Sequence, residues 1–205
     1  MSMNDMSVKD FAAELAAKTS VPGGGGAAAL AAALGAALGS MVGVFTVGKK
    51  KYAEVEPEIL KLMDQAEELR IQLLACIDED AAGFEPLSKA YGIPKEDPQR
   101  DEILEACLHD AAAVPMKIAE LSCKVIELAD EFAEKGSTLM ISDAGCSTVL
   151  AWAALYSAVL NVRVNTKLMK DREYAEKLNK HADDLMNTYW KIADKTYESV
   201  LGRLK

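Results

Sequence analysis

A chain of 205 residues, 50% apolar and 27% charged, can bury one sizeable core, is too apolar to be disordered, and is read as a single domain over residues 1–205. Its net charge of −9 argues against nucleic acid as the partner, because that binding needs Lys and Arg to neutralise phosphates. A small anionic ligand stays open, since Lys49, Lys50 and Lys51 cluster locally, as do Arg163, Lys167 and Lys170. Either cluster also suits a solvated helix carboxy terminus. Cys76, Cys107, Cys123 and Cys146 form no CxxC pair and read as small core residues in a reducing, cytoplasmic compartment. His109 and His181 lack metal-ligand spacing, so no metal is expected.

Ser7 followed by Asp10 predicts a capped first helix ending near Lys18. Residues 1–18 carry acidic side chains and no continuous apolar run, so no signal peptide is expected. Residues 19–52 are the centre of the pattern. Pro22 and four glycines, Gly23, Gly24, Gly25 and Gly26, precede an uncharged run over residues 27–47, which ends at Gly48 and the three lysines. Ala27, Ala31, Gly35, Gly39 and Gly43 recur every fourth residue, which puts a small-residue stripe on one helix face and allows close backbone approach. Length alone would let the run cross a membrane. Its alanine and glycine content, and a second uncharged stretch over residues 144–162, favour a buried helix of a soluble core.

Glu56 and Pro57 start a third helix that reaches Phe84 or beyond. In sevens, one row is Ile59, Ala66, Leu73, Asp80 and Leu87, and its companion is Leu62, Leu69, Cys76 and Gly83. Asp80 is the one charge in that seam. A buried carboxylate is costly unless partnered, so Asp80 is either a reactive acid or the partner of a lysine or a helix end. Asp78 and Glu79 fall on another face and should be solvated. Pro86 should kink or end the helix near Asp80. Asp97 should cap a fourth helix with Pro98 in its first turn, Pro115 should kink or break it, and Gly136 should stop it. Ser142 and Asp143 then cap the second uncharged helix, along which Ser157, Asn161 and Asn165 line up at four-residue spacing. Such amides bond to other helices or read a ligand, the former being commoner. A last amphipathic helix covers residues 171–204. No segment alternates as a strand does, so the expected fold is an all-α bundle of about six to eight helices.

These segments together resemble the cyclodeaminase/cyclohydrolase family of folate enzymes. The resemblance rests on PGGGGAAAL at residues 22–30, MV...T.GKKKY at 41–52, DEDAAGF at 78–84, AVP at 113–115, the Ser142–Asp143 pair and NVRVN at 161–165. It implies a helical homodimer with the folate site near the subunit contact, and an acid/base role for Asp80. It also implies a tetrahydrofolate derivative, possibly polyglutamated, as substrate, with no separate cofactor and no membrane. Substrate contacts are then expected at Gly23, Gly24, Gly25 and Gly26, at Lys49, Lys50 and Lys51 for the glutamate tail, and at Ser142, Asp143, Asn161 and Asn165. The chain departs from the family pattern at Gly26, often serine, and at Gly136–Ser137, often glycine–asparagine, two positions that bear on substrate choice. Hydrolysis of 5,10-methenyltetrahydrofolate is the expected reaction, because only about twenty residues precede the glycine loop and an attached transferase half is therefore not expected. The alternatives are formiminotetrahydrofolate cyclodeamination and a helical scaffold that has lost activity, against which retention of Asp80 argues.

Overall fold

The computed structural model describes residues 2–205. Its six α-helices are α1 (Val8–Leu15), α2 (Gly24–Val44), α3 (Glu56–Ala90), α4 (Arg100–Lys135), α5 (Ile141–Thr166) and α6 (Arg172–Arg203), with short 3-10 turns at Met3–Asp5, Lys50–Tyr52 and Thr138–Met140. There is no strand among the described residues. The all-α expectation holds.

α2 packs against α3, α4 and α5, and its glycines are the reason it can. A Cβ on Gly35 would come 3.0 Å from the Ser147 carbonyl oxygen of α5, one on Gly39 would meet the Phe132 ring of α4 at 3.0 Å, and one on Gly43 would strike Met63 of α3 at 2.4 Å. Three glycines thus seat three neighbours. α5 runs antiparallel to α2, with Ser147 Oγ donating to the Gly35 carbonyl at 2.7 Å and Asn161 lying over Gly24. Ala27 and Ala31, the other members of the stripe, are only partly buried. Both α2 and α5 are long and apolar enough to cross a membrane, yet half of each apolar window is buried inside the fold.

The seam of α3 is as the heptads predict: Ile59, Leu73 and Leu87 are wholly buried, Ala66 nearly so, and Asp80 sits half-buried among them. One main core draws on all six helices, and a smaller one gathers Leu87, Leu108, Ala112, Met169 and Ala175.

Several boundaries differ from expectation, each for a physical reason. α3 continues past Pro86 to Ala90, because the residue whose carbonyl loses its donor there, Ala82, is exposed to water. α4 runs unbroken through Pro115, because the carbonyl freed at Ala111 is taken at 3.0 Å by the Asn165 side chain of α5. Asp97 bonds the Gln99 N–H at 2.8 Å and holds the loop, so Gln99, not Asp97, is the N-cap, and Pro98 lies outside α4. Ser142 and Asp143 are inside the first turn of α5 and do not cap it, since the Thr138–Met140 turn feeds directly into the helix. α1 ends at Leu15, with Ser7 accepting from the Asp10 N–H as predicted. Gly136 stops α4. A Cβ there would stand 2.5 Å from the Phe132 carbonyl oxygen. Cys76 and Cys123 are core residues, but Cys107 is half-buried and Cys146 exposed, and all four thiols are free.

Candidate functional site at the glycine end of α2

The first turn of α2 has only glycine to offer. Gly23 is the N-cap and bears no capping side chain, so the leading N–H groups are available to other acceptors, in the place where the helix dipole favours negative charge. Asp80 of α3 takes up that position. A Cβ on Gly25 would fall 2.2 Å from Asp80 Oδ1 and 2.5 Å from Oδ2, so the carboxylate lies directly on the α2 backbone and only glycine admits it. A Cβ on Gly24 would stand 2.9 Å from Asn161 Nδ2 and would displace that amide from its place over the helix start. Gly26 is different. The nearest neighbours of a Cβ there would lie at 3.7 Å or beyond, ordinary contact distance, so glycine is not demanded by close approach at this position.

Gly23, Gly24, Gly25, Asp80, Asn161 and Asn165 line one cavity of about 210 Å³, together with Ser20, Val21, Phe84, Ala111, Pro115 and Val164. Asp80 is the only ionisable group in that lining. Burial pushes its carboxyl above the usual Asp range, opposed by the hydrogen bond from the Gly26 N–H. No lysine or arginine lines the cavity to neutralise it, and Lys117 of α4 pairs with Glu79 at 2.7 Å. The result is a desolvated acid facing a cavity without a counter-ion. Of the two non-catalytic roles foreseen for Asp80, pairing with lysine is absent, and its carboxylate does lie against a helix end, on the first turn of α2.

Its neighbours are not simply solvated, contrary to expectation. Asp78 is half-buried and accepts from the Ser2 hydroxyl and, at 2.7 Å, from the Met3 N–H, which anchors the amino-terminal segment beside the site. Glu79 is held by Lys117.

The remaining expected contacts lie elsewhere. α2 has 21 residues and so separates its two ends by about 30 Å. At the far end Lys49 Nζ donates to Ser137 Oγ at 3.2 Å, Lys50 and Lys51 are exposed, and Tyr52 accepts from the Thr138 N–H at 3.1 Å. Hydrogen bonds from Thr138 hold the Tyr52 phenol down at about 8. Ser142 lines a separate apolar groove with Cys146, Tyr197 and Leu204, also far from Asp80, and Asp143 is its half-buried neighbour. Within one subunit the lysines, Ser142 and Asp143 are therefore not brought to the cavity.

Sequence reasoning missed Ser20, Val21, Phe84, Ala111, Pro115 and Val164 as lining residues. Phe84 was within reach, since it follows Asp80 by four residues and shares its helix face. Ala111 and Val164 carry no chemical signal of their own.

Fold and site define an all-helical protein with one desolvated carboxylate set on a glycine-lined helix start. A family model described as formiminotransferase-cyclodeaminase matches residues 7–184. A methenyltetrahydrofolate cyclohydrolase of Methylorubrum extorquens is 39% identical over 201 residues, which cover 96% of this chain and 97% of that protein. The formimidoyltransferase-cyclodeaminase of Mus musculus is 33% identical over 189 residues, 90% of this chain but only 35% of the mouse protein. Among solved structures, a formiminotetrahydrofolate cyclodeaminase of Thermotoga maritima superposes with a TM-score of 0.83 at 28% identity, covering 98% of this chain and 96% of that one. The chain belongs to the formiminotransferase-cyclodeaminase family.

Proposed function

We propose that this protein interconverts folate one-carbon units by hydrolysing 5,10-methenyltetrahydrofolate to 10-formyltetrahydrofolate, with Asp80 as the general acid and base. The observation that carries the reading is the lone desolvated Asp80 carboxylate on the Gly25 backbone, in a cavity lined by no cation. Such a site favours a cationic substrate, and the methenyl carbon belongs to an amidinium cation that is already electrophilic. Asp80 takes a proton from water as the oxygen bonds to that carbon. It returns the proton to N5 as the carbon–N5 bond breaks, while the hydroxyl proton is lost on forming the formyl group. Near-identical coverage of the Methylorubrum cyclohydrolase in both directions supports this choice. The second reading, cyclodeamination of 5-formiminotetrahydrofolate, is favoured by the Thermotoga neighbour and uses the same acid to protonate departing ammonia.

The working unit in this reading is a cytoplasmic homodimer, without nucleic acid, membrane or metal. Ala27, Leu30, Ala31, Leu34, Met41, Val44 and Phe45 keep helical spacing along α2 and are exposed or only half-buried. On α5, Tyr156, Leu160 and Val164 do the same, and Val164 also lines the cavity. A second copy covering these stripes would close the cavity mouth. It would also offer a route by which Lys49, Lys50 and Lys51 approach a glutamate tail.

The test supplies purified protein with each folate in turn, following loss of the methenyl absorbance and, separately, release of ammonia. Rapid loss that falls about 10²–10⁴-fold in Asp80→Asn is expected. Ammonia release without methenyl hydrolysis would move the assignment to the cyclodeaminase, and full activity in Asp80→Asn would remove Asp80 from the mechanism. Folding of that variant has its own check. Burial penalises ionised Asp80 at neutral pH and ceases to do so below the usual carboxylate range, so Asp80→Asn is expected to melt no lower than wild type at pH 7, with the difference closing on acidification.

A further inference from the structure

Pro115 sits in the middle of α4, where proline removes the N–H that would bond the carbonyl four residues earlier. That carbonyl belongs to Ala111, which is buried and cannot turn to water. Asn165 of α5 supplies the missing donor: its Nδ2 lies 3.0 Å from the Ala111 carbonyl oxygen and 3.0 Å from that of Asn161. A carboxamide has two amide hydrogens, and two carbonyls take them both. Rotating the amide by half a turn would press Oδ1 against the same two oxygens, so the environment permits one orientation. What Asn165 has left is Oδ1, to which no protein group donates among the described residues. Asn165 is 7% exposed, and Ala111, Pro115 and Asn165 all line the cavity that holds Asp80.

We propose that Pro115 and Asn165 form a locked hydrogen-bond acceptor, in which the proline frees Ala111 to fix the carboxamide and Asn165 Oδ1 selects a substrate that presents an N–H donor, the N3–H and 2-amino edge of a reduced pterin. This rests on the folate reading of the cavity. Asn165 is then a specificity-determining residue and Pro115 a positioning residue acting through it. An amide that could turn would accept from a donor or donate to an acceptor equally well. A fixed one discriminates, since a group left facing an unmatched partner in a desolvated pocket weakens binding steeply.

The experiment compares binding of 5,10-methenyltetrahydrofolate and its N3-methyl analogue to the full chain, alongside the exchange of the Asn165 side-chain amide protons followed by NMR without ligand. Wild type is expected to prefer the parent by about 10-fold or more and to protect both amide protons. Pro115→Ala restores a backbone donor to Ala111, so the preference should fall toward unity with Asn165 amide protection reduced, while helix content is unchanged. Asn165→Leu alone strands the Ala111 carbonyl and endangers folding. Combined with Pro115→Ala it does not, and this double variant should show no preference. A preference equal to wild type in either variant overturns the proposal, as does unaltered amide protection in Pro115→Ala. If wild type binds neither compound, the folate reading fails, and protection that depends on Pro115 still tests the lock by itself.

Discussion

The two ends of α2 are built on opposite plans. At the amino end, two glycines let two side chains onto the α2 backbone, Asp80 on Gly25 and Asn161 over Gly24, and Asn165 is held beside them on the Ala111 carbonyl, so the polar groups there are fixed before any ligand arrives. At the carboxy end, Lys50 and Lys51 stand in solvent and only Lys49 and Tyr52 are tied down, through Ser137 and Thr138. The first arrangement suits bond making, where a displacement of about 1 Å costs roughly 10²-fold in rate. The second suits a flexible, charged tail that tolerates imprecise contacts. In the proposed reading, α2 holds the reacting end and the tail-binding end apart.

Substitutions at adjacent glycines break this comparison most sharply. Gly25→Ala drives a Cβ into the Asp80 carboxylate and should lower kcat by about 10²-fold or more, whereas Gly26→Ala has ordinary space around it and should cost at least about tenfold less activity. It should also raise stability by up to about 1 kcal/mol, measured by denaturant unfolding. Equal losses at the two positions would show that the close approach at Gly25 is not what matters.

At the other end the expected effect is smaller and of a different kind. Lys50→Ala with Lys51→Ala should raise KM for a polyglutamated substrate by about 3- to 10-fold, in keeping with the modest worth of exposed ionic contacts, and leave kcat and the monoglutamate unaffected. A fall in kcat, or no change in KM, removes the lysines from the tail-binding role.

The smallest effect is a titration. Because Thr138 donates to the Tyr52 oxygen, the phenolate is expected to form at about pH 8, seen as phenolate absorbance missing from Tyr52→Phe. The sign follows from the lowered value. Relative to Tyr52→Phe, wild type should gain stability as pH rises from about 8 toward the ordinary tyrosine value of 10.0, and lose that advantage as pH falls through 8. Titration at the ordinary value would mean that the Thr138 contact is not formed in solution.

Much of the fold was legible because helices announce themselves locally. The heptad rows of α3 placed Ile59, Leu73 and Leu87 in the core and singled out Asp80, since a period near 3.5 residues fixes which side chains share a face. The glycine stripe announced close packing at Gly35, Gly39 and Gly43. Helix ends were read less well. Asp97 and Ser142 have the chemistry of caps, but the loops before α4 and α5 decide which residue occupies the cap position. Of the kink or break that the prolines left open, the break does not occur, because a proline breaks a helix only when nothing else satisfies the carbonyl it frees, and at Ala111 the remedy comes from a residue 54 positions away.

By itself, the sequence determined the helical class, the face of α3 on which Asp80 lies, and the need for close approach along α2. These depend on periodicity and on residue size, which are local properties. Tertiary structure alone decided that the carboxylate rests on Gly25 with no cation beside it, and that Asn165 answers for Pro115. It also decided that the lysines stand about 30 Å from both. Those are relations between residues far apart in the chain, set by how the antiparallel α2 and α5 pack against α3 and α4, and no spacing within a single helix encodes them.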